Sequence, residues 1–80
     1  MIVTVKYFGL IADLTNKKEE QLQLEQETIL VSSLKSKLES HYQGLQSKPY
    51  AVALNQTICS TDVEIKNQDV IAFLPPFAGG

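Results

Sequence analysis

The stretch VIAFLPP at residues 70–76 decides the fold that we expect for this chain. Five apolar residues follow one another without a polar interruption, and two prolines then end the run. A strand that is apolar on both faces is usually central in its sheet. The prolines hold the chain extended after the strand, because proline fixes its own backbone angle and biases the residue before it away from helix. The sequence therefore predicts a central strand over residues 70–74, followed by an extended segment.

Four further strands are expected on the N-terminal side of this segment. Residues 2–8 alternate so that one face is well buried, which is typical of a strand. Residues 22–24 alternate in the same way, and the polar, glycine-containing stretch 9–20 between them is expected to form a long hairpin loop. Residues 50–54 and 57–59 are expected to pair across a turn at Asn55 and Gln56.

One helix is expected between these strands. From Ile29 to Tyr42 the apolar residues recur at helical spacing, while serines, lysines and a glutamate occupy the other side. This pattern is typical of an amphipathic helix that covers one face of a sheet. Thr28 is the best candidate for its N-terminal cap, and Gly44 is a plausible end.

The order of these elements predicts the architecture. The helical crossover between the first strand and the last allows the two to run parallel, and that arrangement is the ubiquitin-like β-grasp. We therefore expect an α+β fold with a mixed sheet of four to five strands and one main helix packed on one face. The expected division is a β-grasp domain over residues 1–76 and a projecting tail over residues 77–80.

Composition excludes several classes of function. The chain has 80 residues, 44% of them hydrophobic and 20% charged, as in ordinary globular proteins. A net charge of -2 without a basic stripe argues against nucleic-acid binding. No apolar run approaches the roughly 18 to 20 residues that cross a bilayer, and the N-terminus lacks secretory features, so we expect a cytoplasmic protein without a membrane partner. Cys59 is alone, so no disulfide and no metal site is predicted.

The last four residues, Phe77 to Gly80, are expected to project as an arm that a partner can enclose. Four extended residues reach about 13 to 14 Å. Gly79 and Gly80 lack side chains, so a partner's channel could close around their backbone. The alternative is a frayed terminus without a function, which is common in proteins. The rigid di-proline and the aromatic Phe77 in front of the glycines favour the arm.

These motifs resemble those of a known family. Leu54-Asn55-Gln56-Thr57, the turn before Asp69, and the whole of residues 70–80 are similar to the sulfur-carrier (small) subunit of molybdopterin synthase, a MoaD/ThiS-like ubiquitin-fold family. Tyr7-Phe8-Gly9 resembles the end of its first strand. The sequence departs from the family at three places, which are Ala12 where an arginine is frequent, Leu30 where a capping threonine is common, and Asn67-Gln68 where a glycine turn is usual.

The resemblance implies that Gly80 is the reacting residue. An adenylyltransferase like the ubiquitin-activating enzymes would use ATP to adenylate its carboxylate, and a sulfur donor would then convert it to a thiocarboxylate. The sulfur would pass to cyclic pyranopterin monophosphate. No cofactor is expected to be bound permanently, and the chain is expected to be a subunit and cosubstrate rather than an enzyme by itself.

The resemblance also implies the contacts with the partner. The expected partner is the large subunit of molybdopterin synthase, in a heterotetramer of two small and two large subunits. Gly79 and Ala78 would thread a channel, while Phe77, Pro75, Pro76 and Phe8 would contact the partner. An exposed aromatic at such a position suits an interface anchor, although Phe77 could instead fold back on its own sheet.

Three other functions remain open at this point. A thiamine-type sulfur carrier would use the same Gly80 chemistry, and its family usually lacks the two prolines. A protein modifier would join Gly80 to lysines of targets, and a pure interaction module would have an inert tail. Cys59, His41 and the charged residues 17–20 are each explained most simply without a function, as a small apolar residue, a surface residue and a solvated loop.

Overall fold

A mixed sheet with one long helix across it forms the body of the molecule, in a computed structural model that describes residues 1–76. The elements are β1 (Ile2–Tyr7), α1 (Leu10–Thr15), β2 (Glu19–Gln23), β3 (Thr28–Leu30), α2 (Val31–His41), a 3-10 turn (Leu45–Ser47), β4 (Ala51–Leu54), β5 (Thr57–Ile58), β6 (Glu64–Lys66) and β7 (Val70–Leu74).

Strand β7 lies at the centre of a five-stranded sheet whose order is β2-β1-β7-β4-β5. It runs parallel to β1 and antiparallel to β4, with Val5 opposite Ile71 and Tyr7 opposite Phe73. The prediction of a central last strand parallel to the first is therefore confirmed. The fold is the ubiquitin-like β-grasp expected from the sequence.

The core lies between the sheet and α2. Strands β1, β4 and β7 contribute buried side chains from one face, and α2 covers them with its own apolar stripe; the set includes Val3, Val5, Tyr7, Val31, Leu34, Leu38, Val52, Ile71 and Phe73. Burial of an aliphatic or aromatic side chain of this kind contributes about 1.5 to 3 kcal/mol. The opposite face of the sheet carries no helix among residues 1–76, and we call it the open face.

The prediction of a long hairpin loop between β1 and β2 is wrong, because this segment contains the helix α1. Ile11 and Thr15, which are four residues apart, are its buried side chains. The helix ends at Thr15, and Asn16 follows as its C-terminal cap with a left-handed backbone (φ 60°). Six residues give too few turns for a hydrophobic period to emerge, which is why periodicity did not reveal it.

Only Lys17 and Lys18 of the charged residues 17–20 lie in the solvated loop that was expected. Glu19 and Glu20 belong to β2, where Glu20 lies opposite Val5 and therefore on the core side of the sheet. Only 17% of its side chain is exposed. Charge alone did not predict the burial of Glu20, because its polar partners come from other parts of the fold.

The main helix begins two residues later than expected, at Val31, and Thr28 does not cap it. Thr28 instead pairs with Lys66 in the two-stranded sheet β3-β6, which the sequence did not predict. Asp62 performs the capping, because its carboxylate accepts hydrogen bonds from the Ser32 backbone N–H (2.8 Å) and the Ser32 hydroxyl (2.6 Å). These contacts hold the pKa of Asp62 below its usual value, the hydroxyl having the larger effect. A cap that is distant in sequence leaves no local signal.

The end of α2 also differs from the prediction. The helix ends at His41, and Gly44 lies beyond it with φ 94°, where it starts the 3-10 turn. Tyr42 is the C-terminal cap, and its backbone N–H donates to the Leu38 carbonyl. The predicted turn at Asn55 and Gln56 is confirmed, and both residues have positive φ, as a tight hairpin turn requires.

Candidate functional site

The chain leaves the sheet beside Phe8. Because β1 and β7 are parallel and Tyr7 lies opposite Phe73, the two strands end at the same edge of the sheet. The Phe8 backbone N–H continues the ladder by donating to the Phe73 carbonyl at 3.1 Å. Pro75 and Pro76 follow and are exposed. The segment that precedes the last four residues therefore starts next to an exposed aromatic ring, 45% of which is accessible to solvent.

A shallow apolar groove crosses the open face next to this exit. Its side chains come from the ends of β1 and β7 and from the β4-β5 hairpin, and the set comprises Lys6, Phe8, Ala53, Asn55, Gln56, Ile58, Val70, Ala72 and Leu74. Half of the Ile58 side chain is exposed. Exposed contiguous apolar surface of this kind is characteristic of protein interaction sites. Lys6, which is half-buried, places one cation within this apolar surface.

The structure describes only some of the site residues that were predicted from the sequence. Phe8, Pro75 and Pro76 are brought together at one edge of the sheet. Phe77, Ala78, Gly79 and Gly80 lie outside the described residues, so their roles stay predictions.

Sequence reasoning missed the groove residues Ile58, Ala72 and Leu74. A signal was present for the two in β7, because Val70, Ala72 and Leu74 alternate with the buried Ile71 and Phe73. For Ile58 the signal was its pairing with Ala53 across the predicted turn, which places both on one face. In each case the strand had been identified, but its two faces had not been assigned.

Cys59 and His41 lie away from this site. Cys59 is half-buried and lines a second groove, of about 340 Å³, beside the start of α2. His41 is exposed and packs edge-on against Tyr42, with ring centroids 4.6 Å apart. Within residues 1–76, no three histidine, cysteine, aspartate or glutamate side chains are grouped so that they could hold a metal ion.

A polar cluster inside the fold has a structural role. The Glu20 carboxylate accepts hydrogen bonds from the hydroxyls of Tyr7 (2.6 Å) and Tyr42, and it pairs with the Lys17 ammonium at 3.1 Å. Burial by itself would raise the pKa of Glu20, but the hydrogen bonds from Tyr42, Tyr7 and Lys17 outweigh it and lower the pKa. Burial and the same carboxylate raise the pKa of Tyr7. The cluster thus ties β1, β2 and the end of α2 together.

Among the helices in the described part of the chain, none has the length and apolarity needed to cross a bilayer.

Comparisons with known proteins give relatives over the full length of the chain. A chain in the protein–protein complex of subunits 1 and 2 of the molybdopterin-converting factor from Helicobacter pylori 26695 is 26% identical, with a TM-score of 0.69 and complete coverage of both chains. A Pyrococcus furiosus protein provisionally named molybdopterin converting factor, subunit 1, is 24% identical, with a TM-score of 0.85, over 96% of this chain and 99% of that one.

A third solved structure extends the comparison to protein modifiers. The small archaeal modifier protein 1 from Methanosarcina acetivorans is 20% identical, with a TM-score of 0.71, over 99% of this chain and 96% of that one. At this identity the likeness shows a common fold only. The model of the ThiS family matches residues 5–80, which is nearly the whole sequence. The chain therefore belongs to the ThiS family of ubiquitin-fold sulfur carriers.

Proposed function

We propose that this chain is the sulfur-carrying small subunit of a molybdopterin synthase. The observation that carries the proposal is its likeness, at 26% identity and over the full length of both chains, to a chain in the complex of molybdopterin-converting factor subunits 1 and 2 from Helicobacter pylori. The di-proline at residues 75–76 favours a carrier of the molybdopterin synthase type over one of the thiamine type, because thiamine-pathway carriers usually lack the two prolines. The likeness to a small archaeal modifier concerns the fold alone.

The proposed chemistry takes place at the carboxylate of Gly80. A free carboxylate is a poor acyl electrophile, so an adenylyltransferase joins it to the AMP part of ATP and releases pyrophosphate. Sulfide from a donor then attacks the acyl carbon, AMP departs, and Gly80 becomes a thiocarboxylate. In the synthase this sulfur is transferred to cyclic pyranopterin monophosphate, and hydrolysis of the acyl group restores the carboxylate. We assign this ATP-consuming cycle to the cytoplasm, with no cofactor held permanently by the chain.

The open face is the surface on which we expect the large subunit to dock. The groove holds the exposed side chains of Phe8, beside the end of β7, and of Ile58, in the β4-β5 hairpin. A partner that covers the groove therefore also meets the segment that leads to Gly80. Aromatic residues are frequent anchors in protein interfaces. Ala78 and Gly79 then pass through a channel of the partner, which supplies the substrate pocket. The proposed assembly contains two small and two large subunits.

Reconstitution from purified components tests the proposal. The full chain is incubated with its adenylyltransferase, ATP and sulfide, and then with the large subunit and cyclic pyranopterin monophosphate. We expect molybdopterin to form, and we expect none when Gly80 is deleted, although the truncated chain should unfold at the same denaturant concentration. Molybdopterin formation by the truncated chain would contradict the role of Gly80. Sulfur transfer to a thiamine precursor alone would favour the thiamine-type carrier.

A further inference from the structure

Gly9 has a backbone conformation that other residues rarely adopt. Its angles are φ 57° and ψ -134°, a combination in which the Cβ of an L-residue meets its own main chain. It is the residue that joins β1 to α1, directly after Phe8. A glycine is therefore required here by local geometry alone, before any contact with the rest of the molecule is considered.

A close contact with the di-proline adds a second requirement at Gly9. A Cβ atom placed on Gly9 would lie 2.7 Å from Cγ of Pro75. Carbon atoms attract each other best at about 3.5 to 4.0 Å, so a side chain at this position would push the ring away. The ring of Pro75 is fused to its own backbone and cannot swing aside as the end of a long side chain does. Glycine thus allows the first proline to lie directly against the main chain at residue 9.

The surface that receives Pro75 is fixed on both of its sides. On one side, the Phe8 N–H donates to the Phe73 carbonyl at 3.1 Å, which ties the segment to β7. On the other, the Gly9 carbonyl accepts from the Asp13 N–H at 3.2 Å in the first turn of α1. Ile11 anchors that helix in the core with 1% exposure. Gly9 therefore cannot retreat from Pro75 without breaking the β1-β7 ladder or moving α1.

We propose that Gly9 is a positioning residue that seats Pro75 and thereby sets the direction in which the chain leaves β7. The contact between Gly9 and Pro75 is independent of the function, whereas its consequence for sulfur transfer rests on the proposed function. Transfer depends on the placement of the reacting group, and a displacement of about 1 Å can slow such a reaction roughly a hundredfold. Residue 9 is therefore expected to influence chemistry at Gly80, although it contacts neither the acceptor nor the reacting atoms.

The first test reports exit direction without any assay of function. A nitroxide is attached through Ala78→Cys in a Cys59→Ser background, and the broadening of backbone amide signals is compared among variants. Gly9→Ala should change which amides near the end of β7 are broadened. The control is Gly44→Ala, since Gly44 also has a positive φ of 94° but contacts Leu14 rather than a proline. Identical broadening in all three chains would contradict the proposal.

The second test separates the collision with Pro75 from backbone strain. Single-turnover transfer is measured with preformed thiocarboxylate and saturating large subunit. Gly9→Ala should slow transfer about tenfold or more, since it displaces the exit of the chain. In a Pro75→Ala background, which removes the colliding Cγ, the same substitution should slow transfer less than about threefold relative to Pro75→Ala alone, because contacting residues are not additive. Gly44→Ala should leave the rate unchanged.

The outcomes separate this proposal from the proposed function. Equal losses from Gly9→Ala in both backgrounds would mean that only backbone strain matters, which would overturn the seating of Pro75. If the unaltered chain transfers no sulfur, the proposed function fails and the broadening pattern alone decides the role of Gly9. Should Gly9→Ala not fold, Pro75→Ala is examined alone, and an unchanged broadening pattern in that variant would contradict the proposal.

Discussion

On the open face of the sheet, Phe8 exposes 45% of its surface at the point where the chain leaves β7. Phe8→Ala is expected to weaken docking of the large subunit by about 1 to 3 kcal/mol, as for an aromatic anchor at an interface. Stability should change little, because the ring is not part of the core. Calorimetric titration checks the affinity, and denaturant unfolding checks the fold.

Leu30→Ala is the control for this substitution. Leu30 has a similar exposure of 43% but does not line the groove. Its removal should leave the affinity unaltered. If both variants bind as tightly as the unaltered chain, the large subunit does not dock on the open face.

Glu20 gives the stability a defined dependence on pH. Its pKa is lowered in the folded chain relative to the ordinary value of 4.5, so its contribution is present above that value and is lost as the pH falls through the folded-state pKa. Glu20→Gln should lower the free energy of unfolding by about 1 to 3 kcal/mol at neutral pH, the range for hydrogen bonds to a charged group. This difference should shrink in acid below about pH 4.

Urea unfolding at several pH values measures that difference. Glu19→Gln is the matched control, because Glu19 is the exposed neighbour of Glu20 in the same strand. Its effect should be small at every pH. A difference between Glu20→Gln and the unaltered chain that stays constant from neutral to acidic pH would contradict the assigned role of the carboxylate.

Among the elements, the β4-β5 hairpin has a turn whose second residue, Gln56, adopts a backbone conformation that favours glycine. Gln56 has φ 73°, and such a left-handed conformation costs about 1 to 2 kcal/mol for a residue with a side chain. Gln56→Gly should therefore raise the free energy of unfolding by about 0.5 to 1 kcal/mol. Gln21→Gly, inside β2, should lower it, since glycine weakens a strand interior. Thermal unfolding of the two variants should show shifts of opposite sign.

The main helix depends on a residue from a distant loop. Removal of the carboxylate that caps α2, by Asp62→Ala, leaves the Ser32 N–H without its acceptor. The midpoint of denaturant unfolding should fall in Asp62→Ala. Asp62→Asn should keep most of the stability that Asp62→Ala loses, because asparagine caps helices about as well as aspartate. Equal losses in the two variants would indicate that charge, rather than the cap, is responsible.

These elements show how far the sequence predicts the fold. The strands β1, β4 and β7 and the helix α2 were predicted because each carries a sustained apolar pattern matched to its period. The helix α1 and the strands β3 and β6 were missed because each is too short for a period to emerge. Thr28 was misassigned as a cap because the true cap, Asp62, comes from a loop brought near only by folding.

Some parts of the candidate site could be predicted from the sequence and others could not. Phe8, Pro75 and Pro76 could be named from motifs, and the parallel pairing of β1 with β7 brings them together as expected. The groove on the open face could be predicted only by assigning each strand's two faces. The contact between Gly9 and Pro75 depends on how residues distant in sequence pack after folding. Nothing in the spacing of residues 9 and 75 indicates that they meet.

For the molecule as a whole, the β-grasp body places the exposed Phe8 and the di-proline at residues 75–76 at one edge of the sheet, next to the groove on which we propose that the partner docks. Strand β7, which leads into this segment, is hydrogen-bonded to a neighbouring strand on each side, β1 and β4. In the proposed function, a rigid body of this kind limits the positions that the thiocarboxylate can reach, which favours transfer to a bound acceptor.

The central claim, that Gly80 carries the sulfur, is tested most directly by the intact mass of the chain after incubation with its adenylyltransferase, ATP and sulfide. We expect one oxygen to be replaced by sulfur, with fragmentation placing the change at Gly80 and with no change when ATP or Gly80 is absent. An unchanged mass in the presence of an adenylyltransferase shown to be active on another carrier would contradict the claim, as would sulfur located at Cys59.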